Sequence, residues 1–369
     1  KAEKPMQGLA TLDWVVIATY FVIVFGVAFL SAYKYETHET SEGFFLAGKN
    51  AGWFVIGASL FASNIGSEHL VGLAGSGAAG GVAVAQFEIL AGLILLLLGW
   101  FFVPFYIKSG VFTMPEFLER RYSSGPRLYL AIVSIVGFVI TKISVTIAAG
   151  GIVFEALMGI NFRTGAIVVV VATGIYTIWG GMRAVLYTDL VQMFVLIGGA
   201  LAVTLIGLNK VGGWDALNAS AGPQFFDLWK PMSHPDFPWT GILFGAPILG
   251  VWYWCTDQFI VQRVLSAKNQ DNARRGTIFA ALLKQLPMFL FVVPGIIAYV
   301  LYKSGQIELG DPDQALPTLV SALLPTGLRG LVAAGLLAAL MSSLSSVFNS
   351  CSTLFTIDIY KRFRPQTSD

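Results

Sequence analysis

Charged residues, cysteine and histidine are all scarce in this sequence of 369 residues. Only 12% of the residues are charged, about half the fraction of a soluble domain, whereas 56% are hydrophobic. Cys255 and Cys351 both fall in apolar runs, so no disulfide framework is indicated. His69 is the only one of the three histidines in an apolar run, and no Ser-His-Asp or metal-ligand spacing is present. This composition argues against a soluble domain, a disulfide scaffold and an enzyme.

Long apolar runs are what the sequence has instead, and the mean hydropathy is +0.72. A helix crosses a bilayer core with about 20 residues. Because these runs are continuously apolar and do not alternate with period two, a transmembrane barrel is disfavoured. We predict an all-α integral membrane protein in which residues 1–369 form a single polytopic domain with about nine crossings. The predicted crossings are 12–32, 53–77, 80–107, 128–157, 162–180, 184–208, 240–263, 276–302 and 328–357.

The distribution of basic residues favours one orientation in the membrane. If the N-terminus lies outside, most of the 23 lysines and arginines fall in inner loops, as the positive-inside rule requires. We therefore predict a multi-pass protein of the plasma (cytoplasmic or inner) membrane with its N-terminus outside. The first apolar run is too long for a signal peptide and lacks an A-x-A cleavage site. The inner basic residues include Lys108, Arg120, Arg121, Arg127, Arg263, Lys268, Arg274, Arg275, Lys361, Arg362 and Arg364.

The stretch SNIGSEHLVGLAGSG, residues 63–77, combines polar groups with glycines inside an apolar run. Asn64, Glu68 and His69 supply hydrogen-bonding groups where Gly66 and the later glycines weaken a helix. Carbonyls freed by unwinding find no partner in hydrocarbon, and broken helices at the bilayer midplane bind ions and substrate in many secondary transporters. Glycines alone would indicate close helix packing. Glycines together with asparagine, glutamate and histidine indicate a binding site.

The stretch LMSSLSSVFNSCSTLF places hydroxyl groups along a predicted helix. Ala339, Ser342 and Ser343 are spaced i, i+3, i+4 and so share one helix face. Two hydroxyls beside backbone carbonyls suit a hard cation such as Na⁺ better than a soft metal. Ser345 and Ser346 extend the polar patch. The alternative is that the serines only form hydrogen bonds between helices.

The stretch VWYWCTDQFIVQR combines aromatic with polar residues. Tyrosine or tryptophan rings can stack on a polyhydroxylated ring, while Thr256, Asp257 and Gln258 could bind its hydroxyls. An interfacial aromatic belt is the alternative. That belt would explain Trp252 and Trp254, but not an aspartate and a glutamine beside them.

Several ionisable residues lie in the apolar runs, where each costs on the order of several kcal/mol unless it faces the bundle interior or water. For Lys142 and Glu155 we favour a structural role, as an interior pair or at a helix end. For His69, Glu88 and Lys284 we favour a site, with His69 and Glu88 on facing helices and all three turned to one polar cavity. The full set is Glu68, His69, Glu88, Lys142, Glu155, Asp189, Asp257 and Lys284.

These stretches, together with WGGMRAVLYTDLVQ (179–192) and FTMPEFLERRY (112–122), resemble the sodium/solute symporter family. Within that family they look most like the sodium/glucose cotransporter branch, from about residue 10 to the end. The resemblance implies a five-plus-five inverted-repeat transporter bundle preceded by one extra N-terminal helix. With about nine crossings the second repeat would be incomplete, and we expect the last two core helices to be missing.

The resemblance also implies ligands for sodium, the expected co-transported ion. The family's conserved sodium site would use carbonyl oxygens of three residues and hydroxyls of two, which here are Ala62, Ile65, Ala339, Ser342 and Ser343. Branch members that couple two sodium ions use a second site, which here matches Asp189, Ser345 and Ser346. Whether one or two ions move per cycle stays open at this stage.

For the substrate, the resemblance implies hydrogen-bonding side chains, a stacking ring and gates. The matching substrate-binding residues are Asn64, His69, Glu88, Tyr253, Trp254 and Lys284. Tyr253 would also form part of the inner gate, and Leu73 and Phe87 match outer-gate positions.

The implied function is sodium-coupled symport of a hexose, such as glucose or galactose, by alternating access. The expected partners are a small sugar, Na⁺ and the lipid bilayer, with no nucleic acid, and the oligomeric state is left open. One alternative is sodium symport of another solute, such as myo-inositol or sialic acid. Another is a transporter-like sugar sensor or sodium channel.

Overall fold

The computed structural model describes residues 9–33 and 40–366, and the described backbone is predominantly helical. Its β-type pairings, within those ranges, are two isolated bridges, Ala51 with Ala267 and Lys230 with Pro238. The all-α prediction is therefore confirmed.

Eighteen α-helices lie in the described residues and are numbered here in chain order. Their bounds are α1 Thr11–Tyr33, α2 Ser41–Leu46, α3 Trp53–Asn64, α4 Ser67–Gly80, α5 Gln86–Leu97, α6 Val103–Ser109, α7 Met114–Arg121, α8 Ser124–Gly137, α9 Ser144–Val153, α10 Phe162–Val211, α11 Trp214–Ala221, α12 Ala246–Val251, α13 Gln258–Leu265, α14 Gln270–Leu283, α15 Val293–Lys303, α16 Ala315–Leu323, α17 Leu328–Thr353 and α18 Lys361–Phe363. π-helical turns join several of them, at Leu98–Phe102, Phe138–Ile143, Phe154–Met158, Gly241–Gly245, Trp252–Thr256, Met288–Val292 and Leu354–Tyr360.

Joined end to end, these elements form helices long enough to cross a bilayer. In the described part of the chain, six helical runs have the length and apolar composition for this, and two shorter apolar helices accompany them. Each of the nine predicted apolar runs coincides with helical structure. The six long runs are Thr11–Tyr33, His69–Ser109, Ser124–Gly151, Phe162–Val211, Gln270–Lys303 and Leu328–Phe363, and the shorter helices are Trp53–Asn64 and Gly241–Thr256.

Two of the predicted crossings are interrupted helices. The run at 53–77 stops at Ile65, whose φ of −79° and ψ of 90° are extended, and resumes as α4. The run at 240–263 stops at Asp257, with φ −71° and ψ 130°, and resumes as α13. A third break lies inside α10, where Gly181 has a φ of +54°, a backbone angle that residues other than glycine rarely adopt. That break coincides with the predicted boundary between the crossings at 162–180 and 184–208.

The centre of the bundle is formed by α10 and α17, with α1 and α3 packed beside them. Small residues allow the close approach of the two central helices. A Cβ added at Gly199 of α10 would lie only 3.2 Å from Val332, whereas one added at Gly335 of α17 would lie 3.4 Å from Leu196, an ordinary contact distance. The hydroxyl-bearing residues Ser342, Ser343, Ser345 and Ser346 of α17 are all buried. The polar patch predicted on that helix therefore faces protein.

A buried carboxylate joins the N-terminal helix α1 to the start of α17. Asp13 is fully buried, and its Oδ1 accepts hydrogen bonds from the backbone N–H groups of Gly327 (2.7 Å) and Gly330 (2.8 Å). Its Oδ2 accepts from Ala10 N–H at 2.9 Å. The first N–H groups of a helix have no partner within the helix, so a carboxylate there satisfies them and matches the positive end of the helix dipole. In the sequence, Asp13 is visible only as a position inside the first apolar run.

We expect Asp13→Ala to lower the free energy of unfolding by about 1–3 kcal/mol, because buried backbone donors would lose their acceptor. The apparent Tm of the purified full-length protein in detergent measures this, followed by tryptophan fluorescence. Asp215→Ala is the matched control, because Asp215 lies in the first turn of α11 but is exposed. Equal melting temperatures for the two variants would show that the Asp13 contacts contribute no stability.

Candidate functional site

The break between α3 and α4 leaves backbone carbonyls without helical partners. Gly66 N–H, which would bond Ala62 O in a continuous helix, instead donates to Asn64 O at 3.0 Å. Ile65 N–H still reaches Phe61 O at 3.1 Å, so the helical ladder ends there. The carbonyls in the last turn of α3 must therefore find other partners inside the bundle.

Two serines of α17 supply those partners. Ser342 Oγ donates to Ala62 O at 2.8 Å and to Ala339 O at 3.1 Å, and Ser343 Oγ donates to Ser63 O at 3.2 Å. All of these residues are buried. The structure thus brings the Ala62 and Ala339 carbonyls together with the Ser342 hydroxyl, at the point where α3 breaks against α17. Ser343 meets the carbonyl of Ser63, which is not among the oxygens predicted from the sequence. Ile65 is buried at the break itself. Hydroxyl and carbonyl oxygens are the ligands that a hard cation prefers.

A cluster of polar side chains lies on the same helix break. Lys284 Nζ pairs with Glu88 Oε2 and donates a hydrogen bond to Asn64 Oδ1 at 2.5 Å. His69 Nε2 lies 3.8 Å from Glu88 Oε1. Lys284 is 1% exposed, so its charge is compensated almost entirely by this carboxylate. The structure brings the histidine, glutamate and lysine together, as the expectation of a shared polar site required.

Tyr253 links this cluster to the second interrupted helix. Asn64 Nδ2 donates to the Tyr253 hydroxyl at 2.8 Å, so the two helix breaks meet through this pair. Trp254 packs edge-on against Tyr253 with ring centroids 5.2 Å apart, and Lys284 Nζ lies 5.6 Å from the centroid of the Trp254 ring. An aromatic surface with hydrogen-bonding groups along its edge can hold a polyhydroxylated ring.

The structure corrects the interpretation of the polar residues that follow these aromatics. Asp257 Oδ1 accepts a hydrogen bond from Phe259 N–H at 3.2 Å and so caps α13. Gln258 Oε1 accepts from Met114 N–H at 2.8 Å, which ties α13 to α7. The Thr256 hydroxyl donates to its own helix. These three side chains hold the helix break in place and do not form part of the cluster around Lys284.

Of the two residues that match outer-gate positions, Phe87 lies on α5 and Leu73 on α4. Phe87 is 41% exposed and packs against Phe237 of the loop before α12, with centroids 6.3 Å apart. The same loop is tied to α5 by a hydrogen bond from Gln86 Nε2 to Leu228 O. Leu73 of α4 is buried.

The second group of residues expected to hold sodium is built around Asp189. Its Oδ2 accepts a hydrogen bond from Ser59 Oγ at 2.5 Å and lies 3.5 Å from the guanidinium of Arg263. Arg263 also donates to Ser346 Oγ, so Asp189 is linked to this serine through the arginine. Ser345 Oγ donates to a backbone carbonyl of its own helix.

Arg263 is the clearest correction to the sequence analysis, which had counted it among the inner-loop basic residues. It is 1% exposed and contacts Asp189, Ser59 and Ser346 inside the bundle. The available signal was its position at the end of an apolar run, where a charge needs a partner.

The glycines of the stretch 63–77 have two different roles. Gly66 lies at the break, whereas Gly75 and Gly77 are helical and touch Asp313 and Val292, where any side chain would overlap the neighbour. Packing therefore explains these two later glycines. The side chain of Glu68 lies outside the part of the chain that the structure describes.

Lys142 lies in the π-helical turn Phe138–Ile143, and Glu155 lies in the turn Phe154–Met158. Lys142 Nζ lies over the ring of Phe259, 5.8 Å from its centroid. Glu155 Oε1 accepts from Phe162 N–H at 3.3 Å, at the start of α10. The contact of Glu155 lies at a helix end, which is one of the structural roles favoured for these residues.

A helical membrane bundle in which two interrupted helices meet at buried polar clusters has the architecture of a secondary transporter. The sodium:solute symporter family model matches residues 44–369, and the chain belongs to that family.

Among curated relatives, the chain is 42% identical over 398 residues to sodium/glucose cotransporter 4 of Mus musculus, covering 99% of this chain and 58% of the relative. It is 43% identical over 394 residues to sodium/glucose cotransporter 1 of Sus scrofa, covering 97% of this chain and 59% of the relative. The chain therefore spans less than two thirds of the length of these relatives.

A solved structure of a Na⁺-coupled sialic acid symporter, in a substrate-bound outward-open state, shares the fold. The TM-score is 0.88 at 24% sequence identity, and the match covers 98% of this chain and 76% of that chain. The predicted fold class is confirmed: the described chain is an all-α membrane bundle that shares the fold of a Na⁺-coupled symporter.

Proposed function

We propose that this chain carries the ion and substrate sites of a sodium-coupled symporter for a neutral hexose, working by alternating access. One observation supports this most strongly: the break between α3 and α4 borders both the serine–carbonyl group and the Lys284–Glu88 cluster. The same helix break would therefore contact both the ion and the substrate. No covalent chemistry is required.

Sodium would bind between the carbonyls of Ala62, Ile65 and Ala339 and the hydroxyls of Ser342 and Ser343. In the structure the two hydroxyls donate to carbonyls at the break. A cation would replace those protons and hold α3 against α17 in one geometry. If sugar binds more tightly to that geometry, the coupling is reciprocal, so sugar also strengthens sodium binding. A membrane potential adds about 2.3 kcal/mol per charge moved per 100 mV.

The substrate would be held by Asn64, His69, Glu88 and Lys284, with Tyr253 and Trp254 as the aromatic surface. Phe87 and Leu73 would close the outer side, and Tyr253 would contribute to the inner gate. Because Glu88 already compensates the Lys284 charge, the cluster favours a neutral polyhydroxylated ring over an anion.

A second sodium ion is proposed at Asp189, Ser345 and Ser346. The Asp189 carboxylate is fully buried, and its Oδ1 has no hydrogen-bond partner among the residues that the structure describes. A buried acceptor without a donor is costly, and a cation would relieve that cost. We further propose that the protein resides in the plasma membrane with its N-terminus outside.

Uptake by proteoliposomes holding the full-length protein tests the proposed function. With an inward sodium gradient, radiolabelled glucose or galactose is expected to accumulate above its external concentration, and a potassium gradient should give no accumulation. Binding without accumulation would identify a sensor or a channel. Inhibition by sialic acid but not by hexoses would make an anionic solute the substrate, and inhibition by myo-inositol alone would identify that polyol.

A further inference from the structure

Two fully buried oxygen atoms, neither with a hydrogen-bond donor in the described ranges 9–33 and 40–366, lie one turn apart on α10. They are Asp189 Oδ1 and Gln192 Oε1, on residues that are 0% and 1% exposed. The spacing i, i+3 places both side chains on the same face of the helix. Each unmet acceptor costs about 1–3 kcal/mol, and two on one face of the same helix can be met by one shared partner.

The N-terminal helix α1 fixes the direction of the glutamine amide. Gln192 Nε2 donates to the hydroxyl of Tyr20 at 3.2 Å. Because the nitrogen faces Tyr20, the amide oxygen faces away from α1. Tyr20 is itself buried, and its hydroxyl donates to Met341 Sδ of α17 at 3.6 Å. Its hydroxyl proton is therefore already used in a hydrogen bond.

The side chains near these two atoms carry several oxygens, and their hydroxyl groups already donate to other acceptors. The Tyr176 hydroxyl donates to Met341 O at 3.1 Å and lies beside the side chains of Ser345 and Gln192. Tyr20 and Tyr176 are both within electrostatic reach of Asp189. The other carboxylate oxygen of Asp189 is occupied by Ser59 and Arg263. A ligand between the two unpartnered oxygens would therefore meet acceptors, as a small cation requires.

We propose that Gln192 Oε1 is a ligand of the second cation, bound beside Asp189 Oδ1, and that Tyr20 positions this oxygen from α1. The assignment rests on the second sodium site of the proposed function. It gives the extra N-terminal helix a role in ion binding, since Tyr20 contacts the residue that completes the coordination. A cation at Asp189 Oδ1 would also compete with Arg263 for the carboxylate.

Sodium binding to the purified full-length protein, measured without sugar by equilibrium binding of radioactive sodium, tests this assignment. Gln192→Leu is expected to lose the second sodium ion, as Asp189→Asn should. Gln192→Glu, which keeps an oxygen at the same place, should retain it. Tyr20→Phe should keep the number of ions but weaken the affinity of the second by about tenfold, because the amide could then rotate.

Thr204→Val is the matched control on α10. Its hydroxyl is buried and already bonded to Ala200 O and Phe289 O, so its loss should leave both sodium ions bound. If Gln192→Leu keeps an ion that Asp189→Asn loses, the glutamine is not a ligand. A water molecule would then be the hydrogen-bond donor to its side-chain oxygen in the wild-type protein. If the wild-type protein binds a single sodium ion, the second site and this assignment both fail. Because the measurement needs no sugar, a wrong hexose assignment would not affect it.

Discussion

Replacing Ser343 by alanine is expected to abolish sodium-driven uptake by the full-length protein. Ser343 Oγ is buried and contacts the α3 carbonyl of Ser63 at the helix break. A small cation needs a protein oxygen for each water it gives up. Interactions with a charged group are worth about 1.5–3 kcal/mol, so losing one such oxygen should weaken sodium binding by about tenfold or more.

The measurement is hexose uptake against sodium concentration, with sodium affinity determined separately on purified protein. Ser321→Ala is the matched control, since that hydroxyl donates only within its own helix, to Pro317 O at 2.9 Å. The control should keep its uptake. If Ser343→Ala transported with normal sodium dependence, the serine–carbonyl group would be only a contact between α3 and α17.

The helices were predictable because their signal is local. Each apolar run is continuous in sequence, and hydrocarbon allows few backbone conformations besides the helix. The break at Ile65 and Gly66 was also signalled locally, by polar residues beside a glycine. The same reasoning attributed Gly75 and Gly77 to the break, although they are packing positions. Composition cannot separate these roles, because the close neighbours come from distant parts of the chain.

The contacts that could not be predicted from these residues themselves are those with partners distant in sequence. Asp13 caps a helix more than 300 residues away, and nothing near it in the sequence indicates this. Asp257 and Gln258 resembled substrate ligands, but their oxygens accept hydrogen bonds from backbone N–H groups of α13 and α7. Arg263 resembled a loop residue until its buried partners were known.

For the site itself, the resemblance named residues that the fold brings together at two places along one helix break. Asn64, Glu88 and Lys284 form one connected group, and Ser342 joins α17 to the break. Their binding of sugar and sodium stays a prediction. The structure adds the charge pairing of Glu88 with Lys284, which narrows the proposed substrate to a neutral one.

Glu88→Gln is expected to abolish sugar binding and to destabilise the protein by about 3–5 kcal/mol, the cost of breaking a buried ion pair from one side. The ammonium of Lys284 would remain buried, with Asn64 as its hydrogen-bond partner. Sugar binding at saturating sodium and the apparent Tm in detergent measure the two effects. Sodium binding without sugar should survive, because Glu88 is not among the proposed ion ligands.

Combining Glu88→Gln with Lys284→Met separates the two roles of the pair. The double variant buries no unpaired charge, so most of the lost stability should return. Sugar binding should not return, because the charged groups that would bond its hydroxyls are gone. A double variant that binds sugar like the wild-type protein would make the pair purely structural and would move the substrate site elsewhere. Recovery of stability without binding would instead place the carboxylate and the ammonium in contact with the transported ring.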